Sequence, residues 1–139
     1  YPEANVPVVQ LSLRRGLDPA EHLALGRALA ALRDEDVLII ASGLSYHNLR
    51  AFGPQAHAPA KAFDDWLADT MLRSNPAERS ERRLNWETAP ASRLAHRREE
   101  HLLPLMVAVG AAENDRAVES YHEAAFMGGL AVSSYRLDA

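Results

Sequence analysis

Two histidines in this chain stand where an imidazole could do chemistry. His47 lies in SGLSYHNLR, residues 42 to 50, just beyond a run of bulky aliphatics, and His101 lies in REEHLLPL, residues 98 to 105, beside Glu99 and Glu100. A side chain that titrates near pH ~6.5 can ligate a metal when neutral or carry a proton in general acid–base catalysis. Each histidine also has an ordinary reading. SGLSYHNL has the composition of a polar surface loop, and a lone histidine at the start of an apolar helix is often structural. His22, His57 and His96 have no motif around them, and His22, inside a helix, is expected to be exposed. His122, in SYHEAAF, reads as a helix-surface residue or as a group lining a substrate pocket.

Composition narrows the chemistry. Cysteine is absent, so any metal must be held by imidazole or carboxylate, and neither a disulfide framework nor a thiol nucleophile is available. A net charge of −4, with 15 basic against 19 acidic residues, argues against nucleic acid as a partner. The arginines of RSERR, residues 79 to 83, read as a solvated helix face. The longest aliphatic runs, VLII and LLPLMVAV, are far too short for a membrane span, and no signal peptide is visible. A soluble, cytoplasmic chain is expected, and 139 residues with 47% hydrophobic content suffice for one modest core.

The elements that must position the two histidines follow from periodicity. VPVVQLSL, residues 6 to 13, reads as a strand, with Pro7 near its first position. Asp18, Pro19 and Glu21 form a capping-box start to a helix carrying Leu23, Leu25, Ala28, Leu29 and Leu32, which RDED at residues 33 to 36 ends. VLIIAS, residues 37 to 42, reads as a strand buried on both faces, which gives a βαβ unit. SGLSYHNL then falls at the carboxyl edge of the sheet, where ligands gather, with Gly43 allowing a sharp turn. Downstream, residues 59 to 72 place Phe63, Trp66, Leu67 and Met71 on one core stripe, and a helix restarts after Pro76. A further helix is expected from near Arg98 to Gly110, with His101 in its first turns and Pro104 tolerated early. Residues 128 to 137 read as a last strand entered through Gly128 and Gly129. The expected fold class is α/β, a mixed or parallel sheet flanked by helices.

Taken together, SGLSYHNL, REEHLLPL, the Trp-containing helical insert and the terminal GGLAVSSYRLD resemble the C-terminal half of class III extradiol ring-cleavage dioxygenases, most closely the DOPA 4,5-dioxygenase branch. The resemblance covers essentially all 139 residues. It implies a non-haem iron(II) enzyme, with zinc(II) found in some purified proteins, that opens a catechol with dioxygen. It further implies that His101 is a metal ligand and that His47 is either a further ligand or the acid/base. We favour the acid/base role for His47 because it sits on a Gly-containing loop beside Asn48. His122 is the candidate for substrate binding. The family's other metal histidines lie in the N-terminal half, and no residue from 1 to 46 replaces them. Together with the abrupt start at Tyr1, this leads us to expect residues 1–139 to be the C-terminal portion of a catalytic domain. Its expected partners are the N-terminal half, a catechol and dioxygen, and it can also form an oligomer. Two other classes are a non-catalytic binding or oligomerisation module on the same fold and a zinc-dependent hydrolase completed across a homodimer. Oxygen uptake with a catechol separates the first reading from both.

Overall fold

Asp18 caps the first helix as its place before Pro19 predicts. Its carboxylate accepts from the backbone N–H groups of Ala20 (2.7 Å) and Glu21 (3.2 Å), satisfying two donors that a helix start leaves orphaned. Such a cap contributes roughly 1 kcal/mol. The reciprocal bond of a capping box is replaced: the Glu21 carboxylate accepts from Arg14 Nε at 2.8 Å. Helix α1 spans Pro19–Leu29 and tightens into a 3-10 turn over Ala30–Glu35. In a computed structural model that describes residues 2–138, the other elements are α2 (His57–Leu72), α3 (Pro76–Leu84), the short α4 (Ser92–Ala95), α5 (Leu103–Ala111), β1 (Arg116–Phe126) and β2 (Leu130–Asp138). No helix among the described residues is long and apolar enough to cross a membrane.

The fold is mixed α/β, as expected, and the sheet among the described residues is two-stranded. β1 and β2 form an antiparallel pair, from Arg116 opposite Asp138 to Phe126 opposite Leu130. The connecting turn takes Met127 and Gly128 through positive φ (51° and 85°). Residues 6–13 and 37–42, expected to be the strands of a βαβ unit, form neither helix nor ladder among the described residues. Val8, Val9, Leu38 and Ile40 are 89%, 92%, 74% and 78% exposed. The discrepancy has a physical cause. Strand propensity measures how well a residue fits a packed, paired surface, and here no described segment lies alongside to supply one.

Two apolar clusters hold the helices. Phe63 of α2 packs with Tyr46, Trp86, Leu102, Leu103, Met106 and Leu130, while Leu67 and Met71 turn toward Leu23, Val109 and Ala117. Trp66, on the same predicted stripe, is half-buried between the two clusters. α1 and α5 cross at glycines. A Cβ on Gly26 would lie 2.1 Å from the Val107 carbonyl oxygen and 2.9 Å from Gly110 Cα, so the two backbones touch there.

The RSERR arginines correct another expectation. Arg79 and Arg83, four residues apart and therefore on one face of α3, are buried rather than solvated. Arg79 Nη2 donates to the carbonyls of Glu113 and Asp115, both at 2.8 Å, and so fastens the chain that leaves α5. Arg83 faces the Met71 sulfur, and its burial pushes its pKa down to about 9.

The Gly26 contact can be tested directly. Gly26→Ala should destabilise the chain by about 1–3 kcal/mol, because the overpacking outweighs alanine's better helix propensity. Gly16→Ala, where a Cβ meets nothing within 4 Å, should be close to neutral in the same denaturant titration.

Candidate metal centre

The loop carrying His47 and the turn carrying His101 meet through their backbones. A Cβ on Gly43 would lie 2.1 Å from the His101 carbonyl oxygen. Gly43 therefore serves a close approach rather than the sharp turn its type suggested. Beyond it the loop is tied to residues 94–96. The His47 N–H donates to the Ala95 carbonyl (2.9 Å), Asn48 Nδ2 donates to the Leu94 carbonyl (3.0 Å), and the Ser45 carbonyl accepts from His96 Nε2 (2.9 Å). Tyr46 is buried between these ties, with its hydroxyl donating to the Ala51 carbonyl (3.1 Å).

His101 does not lie on a helix. α5 begins at Leu103 instead of near Arg98, which puts Pro104 in the first turn, where its missing N–H leaves no bond unmade. Residues 97–102 form bends and turns. In that conformation neighbouring side chains need not point 100° apart, as they would on a helix, and Glu100 and His101 converge.

The result is a cluster of His47, Glu100 and His101. One potential ligand atom from each lies within 4.8 Å of the others. The imidazole centroids are 3.4 Å apart, with the rings tilted by 31°. All three residues are half-buried. Glu100 Oε2 is buried without a hydrogen-bond partner, its neighbouring cation Arg98 Nε standing off at 3.7 Å. Burial, followed by the proximity of His101, lowers the His47 pKa and favours the neutral imidazole that binds metals and accepts protons; Glu100 opposes the shift. The donors fit a divalent metal. Two imidazoles and a carboxylate match the set used by non-haem iron sites, and one ligand atom from each lies within 4.8 Å of the others. The unpartnered Oε2 is the kind of atom such an ion would satisfy.

Two residues of this region carry no signal in the motif reading. Glu100 was named only as a neighbour of His101, because a helical reading turns it away from His101; the REEH run was its one mark. His96 sits in a polar stretch yet is fully buried, its ring edge-on to Phe63 (5.1 Å, 66°) and Trp86 (6.0 Å, 88°). His22, expected to be exposed, is also fully buried; its Nδ1 donates to the Asp18 carbonyl and its Nε2 accepts from the Arg14 N–H. His57 is exposed at the start of α2. His122 lies on β1, not on a helix, with Nδ1 3.1 Å from Ser133 Oγ and 3.3 Å from Asp64 Oδ2. It is not among the clustered residues.

Comparison with known proteins gives the family of the chain. The family profile described as the catalytic LigB subunit of aromatic ring-opening dioxygenase matches residues 1–137. The chain belongs to that family. It is 43% identical over 140 residues to 4,5-DOPA dioxygenase extradiol of Beta vulgaris, an alignment covering 98% of this chain and 51% of the relative. It is 33% identical over 141 residues to 4,5-DOPA dioxygenase extradiol of Escherichia coli K12, covering 99% and 52%. It is also 36% identical over 136 residues to dioxygenase tasH of Hapsidospora irregularis, covering 86% and 41%. The chain thus spans about half the length of the curated relatives it matches. The crystal structure of an uncharacterized protein from Escherichia coli K12 superposes with a TM-score of 0.79 at 30% identity, over 97% of this chain and 57% of that one.

Burial also gives the cluster's surroundings an acid dependence. Burial is the main cause that pushes the His96 pKa down to about 4. The unfolded chain therefore takes up a proton near pH ~6.5 that the folded chain refuses, so this stability is present above about pH 6.5 and is lost as pH falls toward 4. Urea titrations at pH 7.5 and 4.5 should show the loss, worth up to about 3 kcal/mol. His96→Gln should flatten that part of the profile, and an unchanged profile would separate His96 from it.

Proposed function

We propose that this chain is the C-terminal part of a metal-dependent extradiol dioxygenase that opens a catechol of the DOPA class beside its hydroxyls. The observation that carries the reading is the convergence of His47, Glu100 and His101 in a LigB-family chain 43% identical to a 4,5-DOPA dioxygenase extradiol. Iron(II) is the metal proposed for turnover, and zinc(II) suits the same imidazole and carboxylate donors.

His101 and Glu100 would hold the metal, which supplies a redox-active centre where catechol and dioxygen react. Both oxygen atoms enter the product as the ring carbon–carbon bond breaks. His47 has a different task. Its neutral imidazole accepts a proton from a catechol hydroxyl and returns it to the opening ring, and the depressed pKa keeps that base free at neutral pH. The ties at His47 N, Asn48 and Ser45 hold the ring at this station without requiring a metal bond.

Two protein ligands leave a metal weakly held. The remaining ones are proposed to come from an N-terminal half of the same enzyme. What supports this is the span of about half of each relative, together with the exposed aliphatic side chains of residues 6–13 and 37–42. Exposed apolar segments of strand-like composition are suited to pairing with further strands. Residues 1–139 expressed alone should accordingly self-associate, and light scattering on a sizing column should find oligomers. A stable monomer would count against the missing half.

Site chemistry is tested by two substitutions in the assembled enzyme. His101→Ala should abolish metal retention and oxygen uptake together. His47→Ala should keep most of the metal while turnover with a catechol falls about 10²- to 10⁴-fold. Equal metal in wild type and His101→Ala removes His101 from the site, and full activity in His47→Ala removes His47.

A further inference from the structure

His96 lies outside the cluster, yet its ring is bonded to the loop that carries His47, at the Ser45 carbonyl. It is fully buried, and a carbonyl can only accept, so the hydrogen bond to Ser45 O fixes the proton on Nε2. Nδ1 is then a bare acceptor, and it has no partner among the described residues. Leaving such an atom buried has a cost, so an apolar ring would fill this slot at less expense if packing were all that mattered. The slot itself is rigid. Phe63, on α2, and Trp86, in the 3-10 turn Trp86–Thr88, present their faces or edges to the imidazole and leave it little freedom to rotate.

We propose that His96 is a positioning residue for His47: its imidazole, gripped between Phe63 and Trp86, fixes the Ser45–His47 backbone through the Nε2–H bond to the Ser45 carbonyl. The other ties differ in kind, and the bond that the Ser45 hydroxyl donates to the Ala131 carbonyl is long, at 3.4 Å. Another is a backbone bond, from His47 N–H to Ala95 O, and a third comes from Asn48, which itself rides on the loop. His96 alone anchors the loop to a side chain locked into the core of α2. Set two residues before His47, that anchor limits how far the His47 ring can move from His101, which it faces at 3.4 Å. A residue acting on a ligand or base through such an outer bond commonly controls metal affinity about 10- to 100-fold.

The inference rests on the reading of His47 as a site residue, and two measurements keep the two claims apart. The first needs no metal: hydrogen exchange of the segment 45–50, followed by mass spectrometry on the chain as expressed. His96→Phe preserves the ring packing and removes the donor, so segment 45–50 should exchange roughly three- to tenfold faster while α2 and α5 keep their protection. His96→Gln, whose amide can reach the Ser45 carbonyl, should restore wild-type exchange. The second is zinc titration, in which His96→Phe should weaken binding about tenfold and His96→Gln should recover it. If His96→Phe does not fold, His96→Asn, with an amide too short to reach Ser45, takes its place. Unchanged exchange at 45–50 in the folded Phe or Asn variant overturns the positioning role, as does a Gln variant equally impaired. Faster exchange at 45–50 with zinc binding insensitive to His96, His47 and His101 alike would uphold the anchor and overturn the metal site instead.

Discussion

The contact between Gly43 and the backbone of His101 is the constraint from which the rest of the site follows. With a side chain at position 43 the two segments would be held apart by at least a methyl group, two residues ahead of the first tie that holds the His47 loop to residues 94–96. The same device recurs at the far end of the neighbouring helix. α5 starts two residues after His101 and ends next to Gly110, whose Cα rests against Gly26 of α1. Backbone contact at both ends leaves α5 little room to slide. The position of His101 is thereby set by packing across the whole body of the chain and not by the turn 97–102 alone.

Local chemistry was legible wherever a segment supplies its own partners. Asp18 and Pro19 mark a helix start that needs only its own N–H groups, and Phe63, Leu67 and Met71 mark a stripe that any core would bury. The terminal strand announced itself through the turn that Gly128 and Gly129 permit before it. Legibility failed where the outcome depends on a distant segment. Residues 6–13 and 37–42 have strand composition but lack a neighbouring strand among the described residues. Arg79 and Arg83 look solvated in composition, yet their inward face is decided by carbonyls more than thirty residues away, at Glu113 and Asp115, and by Met71.

The site divides along the same line. His47 and His101 were singled out by the motifs that carry them, and the structure brings their rings together. Glu100 and His96 were missed for opposite reasons. Glu100 was hidden by an assumed helix; Pro104 could have corrected this, since a proline at the second helical position dates the helix start to Leu103. No local signal identifies His96. Its neighbours are charged, and its burial depends on Phe63 and Trp86, which lie 33 and 10 positions earlier in the chain.

Electrostatics and exposure converge on one edge of the molecule. Two imidazoles 3.4 Å apart would repel if both were charged, and the lowered His47 pKa relieves that conflict by keeping it neutral. The Glu100 carboxylate then faces two lone-pair donors and a cation too distant for a hydrogen bond, so the cluster is an electron-rich hollow suited to a positive ion. This hollow borders a groove lined by residues 37–41, Gly43 and His101. A strand added along residues 37–42 would cover Leu38 and Ile40 and run beside His101 in the same step. An exposed apolar segment, with Leu38 and Ile40 at 74% and 78%, thus leads through Gly43 into the polar cluster, so that whatever covers this edge also reaches the side of His101.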